Sequence, residues 1–301
     1  MKTFQGRTAV ITGAASGFGR EVSRIAAARG MQLVMADVQQ DALDAAAAEL
    51  TALGAVVLPY RLDVSSAAAV EALGAATRQR FGAPHFVFNN AGVGSGGLIW
   101  ETSLKDWEWV LGVNLMGVVH GMRVFTPMML DAARHDAGYE GHIVNTASMA
   151  GLLNAPNMGI YNVSKHAVVA LTETLYHDLR LVTDQVGASV LCPYFVPTGI
   201  TSSQRNRPAD LPAGKPTRSQ IVARMMSDKA VSSGKVTAAM VAQFVFDAMA
   251  EDRFYIYSHP HALGSVQVRM EDIVAGRNPS DPFVKKPELG EQLRAALREH
   301  D

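Results

Sequence analysis

The chain has 301 residues, 48% of them apolar, which is enough to bury a sizeable core as one domain with an appendage and too few for two full domains. Its 27 Lys and Arg nearly balance 28 Asp and Glu, so no charge excess points to nucleic acid or an anionic membrane, and a small molecule is the expected partner. The single cysteine, Cys192, excludes an internal disulfide and a Cys-based metal cluster. With no signal-like start and no run of 18 apolar residues, it leads us to expect a soluble, cytoplasmic protein.

Taken in chain order, apolar β-branched runs alternate with Ala-rich segments of helical period, the pattern of repeated βα units around a parallel sheet. The first strand is predicted at 7–12 and runs into "TGAASGFG", which opens a helix over 17–29. Gly13, Gly17 and Gly19 let this turn take positive φ and bring backbone N–H groups close to a diphosphate. Ser16 and Phe18 belong to the same cradle. The spacing is Gly-x-x-x-Gly-x-Gly rather than the common Gly-x-Gly-x-x-Gly, so context, not the generic fingerprint, carries the reading.

A second strand at 31–36 ends at Asp37, where a carboxylate can accept bonds from adenosine ribose hydroxyls. Its charge would repel a 2′-phosphate. No Arg or Lys lies between Gly13 and Gly19 or directly after Asp37 to neutralise one, which favours NAD over NADP. After a helix at 41–53 and a strand at 56–60, Asp63 and Val64 are placed to hold adenine. A helix at 66–81 and a strand at 85–89 lead to "NNAG", in which Asn90 can meet ribose while Ala91 and Gly92 allow close approach.

The next helix, predicted over 104–130, carries Asn114 mid-helix, where an amide is a mediocre helix former and, if buried, needs partners. A strand at 142–146 is followed by Ser148, which on its own reads equally as a helix cap. Thirteen residues later, in "YNVSK" within a helix at 157–182, Tyr161 and Lys165 share one face. Taken alone such a pair lies on a surface. Beside Ser148, the ammonium can lower a phenol pKa that is ordinarily about 10 and make the tyrosine an acid/base.

A sixth strand at 187–192 precedes "CPYFVPT". Residues 199–235 show little periodicity and are read as a lid insertion, whose Arg205, Arg207, Lys215 and Arg218 are assigned to a solvated face. A seventh strand is predicted at 253–257. The tail over 259–301 is read as an extension with a helix near 262–275 and a charged helix at its end, outside a catalytic unit spanning 1–258. The nine histidines show no metal-ligand spacing, so no metal is expected.

With the glycine turn, "NNAG", Asn114, Ser148 and "YNVSK" in this order, the chain resembles the short-chain dehydrogenase/reductase family over roughly residues 5–258. The resemblance implies a single Rossmann-type doubly wound parallel seven-stranded sheet with helices on both faces. It also implies an NAD(P)-dependent oxidoreductase in which Tyr161 exchanges a proton with the substrate oxygen and Ser148 orients that oxygen. Lys165 would contact the nicotinamide ribose and lower the tyrosine pKa, and Asn114 would hold a water in a proton relay. Pro193, Val196 and Thr198 match the family's cofactor-contacting stretch after the sixth strand, but Tyr194 stands where glycine is usual.

Pocket residues expected from proximity are Met149, Met158 and Tyr194 beside Ser148, with Gly94 to Ile99, Leu152, Leu153, Phe195, Met225 and Met226 around them. Their apolar, Met-bearing character suits a bulky, largely apolar secondary alcohol or ketone, aromatic or alicyclic. The helices at 104–130 and 157–182 are the surfaces such proteins pair, implying a homodimer or homotetramer. Two alternatives stay open: a non-catalytic dinucleotide sensor, and an epimerase or dehydratase on the same fold.

Overall fold

In the computed structural model, which describes residues 1–298, seven strands form the sheet. They are β1 (Thr8–Thr12), β2 (Gln32–Asp37), β3 (Val57–Arg61), β4 (Phe86–Asn89), β5 (Gly141–Thr146), β6 (Val186–Cys192) and β7 (Tyr255–Tyr257). All pair in parallel in the order β3-β2-β1-β4-β5-β6-β7, so chain direction across the sheet reverses between β1 and β4. Open parallel sheets bind ligands in the crevice beyond the carboxyl ends at such a reversal.

Because strand side chains alternate, the sheet feeds two cores. Ala9, Ile11, Leu33, Met35, Phe86 and Phe88 face one side, where they meet Val22 and Ala26 of α1 (Gly17–Ala28) and Leu43 and Leu50 of α2 (Gln40–Ala52). Val10, Val34 and Val87 face the other, against Leu73 of α3 (Ala67–Phe81) and the later helices. Burial on both faces explains why these strands read as continuous apolar runs. Each fully buried Leu, Ile or Phe contributes about 1.5–3 kcal/mol relative to exposure.

The helix expected over 104–130 is divided. α4 (Leu104–Leu111) gives way to a π-helical turn at Gly112–Met116, and α5 then runs over Gly117–His135. The Gly117 N–H bonds back to the Gly112 carbonyl, one residue further than in an α-helix. A Cβ on Gly117 would lie 2.7 Å from the Val64 side chain, so the turn needs glycine to press against the loop after β3. Further on come α6 (Gly159–Val182), α7 (Arg218–Ser232), α8 (Ala238–Glu251), α9 (Leu263–Val274) and α10 (Pro287–Arg298).

Two of these elements depart from the sequence reading. Residues 199–235 are not merely irregular: they hold a 3-10 turn at Gly199–Asn206 and then α7, started by a capping box in which Thr217 and Gln220 exchange bonds. α8 escaped because it buries Val241, Ala242, Val245, Phe246 and Met249 in the first core, so it lacks a clear polar stripe. The tail helices flank the crevice, and Arg218 Nε on α7 donates to the Ala296 carbonyl of α10 at 2.5 Å.

Candidate active site

The carboxyl ends of the strands open into a cleft of about 2110 Å³ that runs from the glycine turn to α10. Most residues assigned to cofactor, chemistry or pocket line it; Gly19 and Asn114 support the wall from behind, and Gly97, Leu98, Ile99 and Leu152, expected in the pocket, do not line it. No cluster of metal-ligating side chains occurs among the described residues.

At one end, the turn after β1 takes φ +64° at Gly13 and +53° at Gly17. A Cβ at Gly19 would lie 2.1 Å from the Gly13 carbonyl oxygen, and one at Gly13 would lie 3.0 Å from the Ala91 Cα. The turn is therefore closed by glycine on both flanks. Ser16 caps α1 in extended geometry without using its hydroxyl on the helix, leaving that group exposed in the cleft. A backbone cradle with a free hydroxyl at a helix N-terminus fits a diphosphate.

Asp37 is buried at the end of β2 and accepts the Ala15 N–H at 3.0 Å through one oxygen and the Gln39 N–H at 3.0 Å through the other. It thus fixes the glycine turn while keeping lone pairs for a ribose. Asp63 accepts the Ser65 N–H at 2.9 Å and its hydroxyl at 2.8 Å, which shapes the loop beside Val64. The dinucleotide expected here fits this donor set: a glycine cradle for phosphates and a buried carboxylate at the end of the neighbouring strand, both lining the cleft.

Thr12, which sequence reading passed over, ties this half together. Its hydroxyl accepts the N–H groups of Asn90 at 2.9 Å and Ala91 at 3.1 Å, and Asn90 Nδ2 donates to its carbonyl at 3.0 Å. Thr146 donates to Asn90 Oδ1 at 3.3 Å. The Asn90 side chain is therefore engaged in holding "NNAG" against β1 and β5. Only the adjacency of Thr12 to the glycine turn hinted at this.

At the other end, Ser148 follows β5 in extended backbone; its hydroxyl accepts the Ala150 N–H at 3.1 Å and reaches the Pro193 carbonyl at 3.2 Å. Tyr161 and Lys165 project from one face of α6, with the ammonium 5.7 Å from the ring centroid. Lys165 is 3% exposed and donates to the Thr146 carbonyl at 2.8 Å. Burial lowers its pKa to about 8, against a smaller raising effect of Cys192, so it stays largely charged at neutral pH. Burial raises the Cys192 thiol to about 12, keeping it neutral.

Tyr161 departs from expectation in one respect. Burial raises its phenol above the ordinary value, and a hydrogen bond from Ser148 offsets only part of that. Lys165 donates to Thr146 and is not among the causes of that shift. Asn114 differs too. Its Oδ1 accepts the Val93 N–H at 2.8 Å, while Nδ2 donates to the Val93 carbonyl at 3.0 Å and the Ser164 hydroxyl at 3.2 Å. The amide is thus satisfied by protein, and Ser164, inside "YNVSK", passes the connection to the Tyr161 carbonyl at 2.8 Å.

Among the pocket candidates, Met158 and Tyr194 line the cleft with partial exposure, whereas the Met149 side chain is fully buried in the core beneath Val168 and Cys192. Val196 is likewise a core side chain, and Thr198 packs 3.5 Å from where a Gly17 Cβ would stand. Several contacts pin the lid, among them bonds from Leu98 and Asn157 to Ser219. Gly94 N–H donates to Ser203 Oγ at 2.8 Å, and Arg207 pairs with Asp106 at 2.6 Å while lying over the Trp109 ring. Arg207 is therefore not on a solvated face, as its composition-based reading had it: its side chain is only 5% exposed.

Residues 7–209 match the family model described as short chain dehydrogenase. A solved short chain dehydrogenase/reductase from Burkholderia phymatum, in complex with NAD, is 55% identical, with a TM-score of 0.90 over 94% of this chain and 99% of that one. The CLA biosynthesis dehydrogenase/reductase of Lactiplantibacillus plantarum is 34% identical over 285 residues, 93% of this chain and 97% of its own length. The C alpha-dehydrogenase of Sphingobium sp. is 30% identical over 286 residues, 94% of this chain and 90% of its own.

Proposed function

The chain belongs to the short-chain dehydrogenase/reductase family of oxidoreductases, and from that premise we propose that it interconverts a secondary alcohol and a ketone with NAD. The observation that carries this reading is the meeting of Ser148, Tyr161 and Lys165 at one end of a cleft whose other end is a glycine cradle. Bound NAD would supply the hydride acceptor for alcohol oxidation, and its reduced form the donor for ketone reduction.

Tyr161 moves the proton to or from the substrate oxygen. Ser148, whose hydroxyl lowers the phenol pKa against the effect of burial, orients the same oxygen. Lys165, held by Thr146 and charged at neutral pH, grips the cofactor ribose and stabilises a developing phenolate. Asn114 acts through Val93 and Ser164 as a positioning residue for α6. At the other end, Gly13, Ser16, Gly17, Phe18 and Gly19 cradle the diphosphate. Asp37 takes the ribose and Asp63 with Val64 the adenine, while Asn90 to Gly92 and Pro193, Val196 and Thr198 border the nicotinamide side.

NAD rather than NADP is supported by the buried Asp37 carboxylate, and by the NAD in the 55% identical structure. The substrate is bulky and largely apolar, an aromatic or alicyclic carbinol, because Leu153, Met158, Tyr194 and Phe195 border the cleft beside Ser148. Residues 1–258 form the catalytic unit, with 259–301 an extension rather than a separate domain, and the protein assembles as a homodimer or homotetramer. No helix among the described residues is long and apolar enough to cross a membrane.

The test is a panel of alcohols and ketones followed by NADH absorbance. Turnover of aromatic or alicyclic secondary alcohols is expected. No turnover across the panel, with NADH still bound, would refute the reading in favour of a dinucleotide-binding protein without this chemistry.

A further inference from the structure

β6 ends at Cys192, Pro193 follows, and the next residue, Tyr194, is where this chain puts a large side chain at a position read as glycine in its family's pattern. The backbone there is fixed from an element far away in sequence. Tyr194 N–H donates at 2.9 Å to the hydroxyl of Ser258, which follows β7 and is buried. Ser258 Oγ also bonds His259 Nδ1 at 2.7 Å, a contact that the neutral ring makes in either tautomer. Burial, aided by His261, lowers the His259 pKa and favours that neutral form.

Around this anchor the rings form a continuous wall. Tyr194 meets His259 edge-on, with centroids 5.9 Å apart and planes at 73°, and it tilts against Phe195 at 4.3 Å. Backed on these sides, the Tyr194 ring remains 41% exposed and lines the cleft. The preceding carbonyl, Pro193 O, is the acceptor of the Ser148 hydroxyl at 3.2 Å. The exposed ring therefore begins one residue from the group that meets the substrate oxygen. Leu153 and Met158 also border this part of the cleft, supplying flexible apolar surface.

We propose that Tyr194 is an aryl-recognition residue, held in place by Ser258, and that the substrate carries an aromatic ring next to its carbinol or carbonyl carbon. An alicyclic ring would gain the same removal of apolar surface from water. Only an aromatic ring gains in addition the offset or edge-to-face contact with the phenol, an increment corresponding to roughly two- to tenfold in binding. The proposal rests on the alcohol/ketone reading of the same cleft and narrows its aromatic-or-alicyclic choice.

The test separates the two. Acetophenone and cyclohexyl methyl ketone are titrated onto the protein–NADH complex, with NADH fluorescence as the readout, so that no turnover is needed. Wild type is expected to bind acetophenone about two- to tenfold more tightly. Tyr194→Leu should bring the ratio to about one and Tyr194→Phe should keep it, with NADH affinity unchanged in both. Ser258→Ala, which frees the Tyr194 backbone, should weaken acetophenone binding selectively, and Ser258→Thr should restore it. A wild-type ratio of one or below, or a ratio that survives in Tyr194→Leu, overturns the proposal. A ratio that behaves as expected in a protein that turns over neither ketone supports aryl recognition and counts against the oxidoreductase assignment of the cleft.

Discussion

Lys165 donates to the carbonyl of Thr146 at 2.8 Å, so the end of β5 holds the ammonium, while the Tyr161 ring centroid stands 5.7 Å away. The pair is thus built from two elements rather than one: α6 supplies the side chains and the sheet fixes their charge. With Lys165 depressed to about 8 and the phenol raised above its ordinary value, burial has moved two nearly equal pKa values apart, each group towards its neutral form.

This sets a pH dependence of stability. Folding lowers the Lys165 pKa from 10.5 to about 8, so between these values the unfolded chain holds the proton more tightly. The contribution of this group to stability therefore rises with pH across that window, by on the order of 2–3 kcal/mol. Lys165→Met should flatten that rise, which thermal melts of both proteins from pH 7 to 10.5 will show. Equal slopes would mean that the buried lysine is not the titrating group.

For Tyr161, a raised pKa means that the neutral phenol predominates at physiological pH. Ketone reduction, which needs the acid, should hold up at neutral pH, whereas alcohol oxidation, which needs the base, should climb as the medium becomes alkaline. Tyr161→Phe should lower kcat about 10²- to 10⁴-fold in both directions with NADH affinity intact. Steady-state rates against pH, paired with NADH titration, read both effects.

Asp37 serves the glycine turn as well as a ribose, because its two oxygens accept the N–H groups of Ala15 and Gln39. Asp37→Ser should raise the Kd for NADH and narrow the gap to NADPH. It should also cost about 1–3 kcal/mol of stability by orphaning buried donors. Competitive binding of the two reduced cofactors is the measurement. Unchanged discrimination would remove Asp37 from the cofactor site.

The lid anchor makes a further case. Burial pushes Asp106 up, but bonds from Arg207 and Ser103 outweigh it and hold the carboxyl below its ordinary value. Its contribution is present above the unfolded pKa of 3.8 and is lost as pH falls through the lower folded value. Arg207→Met would leave Asp106 without its counter-charge 2.6 Å away, a loss of about 3 kcal/mol. Faster proteolysis within residues 199–235, with KM raised more than kcat is lowered, is expected. Lid cleavage at the wild-type rate would show that the contacts of Ser203 and Ser219 hold it without Arg207.

Much of this arrangement was legible beforehand because it depends on local rules. Strand runs buried on both faces, helical stripes and the glycines at 13, 17 and 19 announce themselves within a few residues, and "YNVSK" contains its own face relationship. What escaped were links across distance. Thr12 to Asn90 spans 78 positions and Arg207 to Asp106 spans 101, and nothing local marks either residue. α7 could have been found from Thr217 and Gln220, whose spacing is that of a capping box, but its helical face is weakly patterned. The phenol shift was misjudged for a physical reason: i and i+4 spacing sets proximity, not where an ammonium finds its best acceptor.

The π-helical turn at Gly112–Met116 amounts to one residue more than an α-helix needs. Deleting one residue there would let α4 and α5 merge into an uninterrupted rod with ordinary bonding, which by backbone considerations alone is the sturdier helix. The same deletion would remove the widened turn from which Asn114 reaches the Val93 backbone. A shortened protein that melts at a higher temperature and turns over nothing would be the signature of that irregularity. The helix is kept imperfect so that one amide can face the loop beside Lys165.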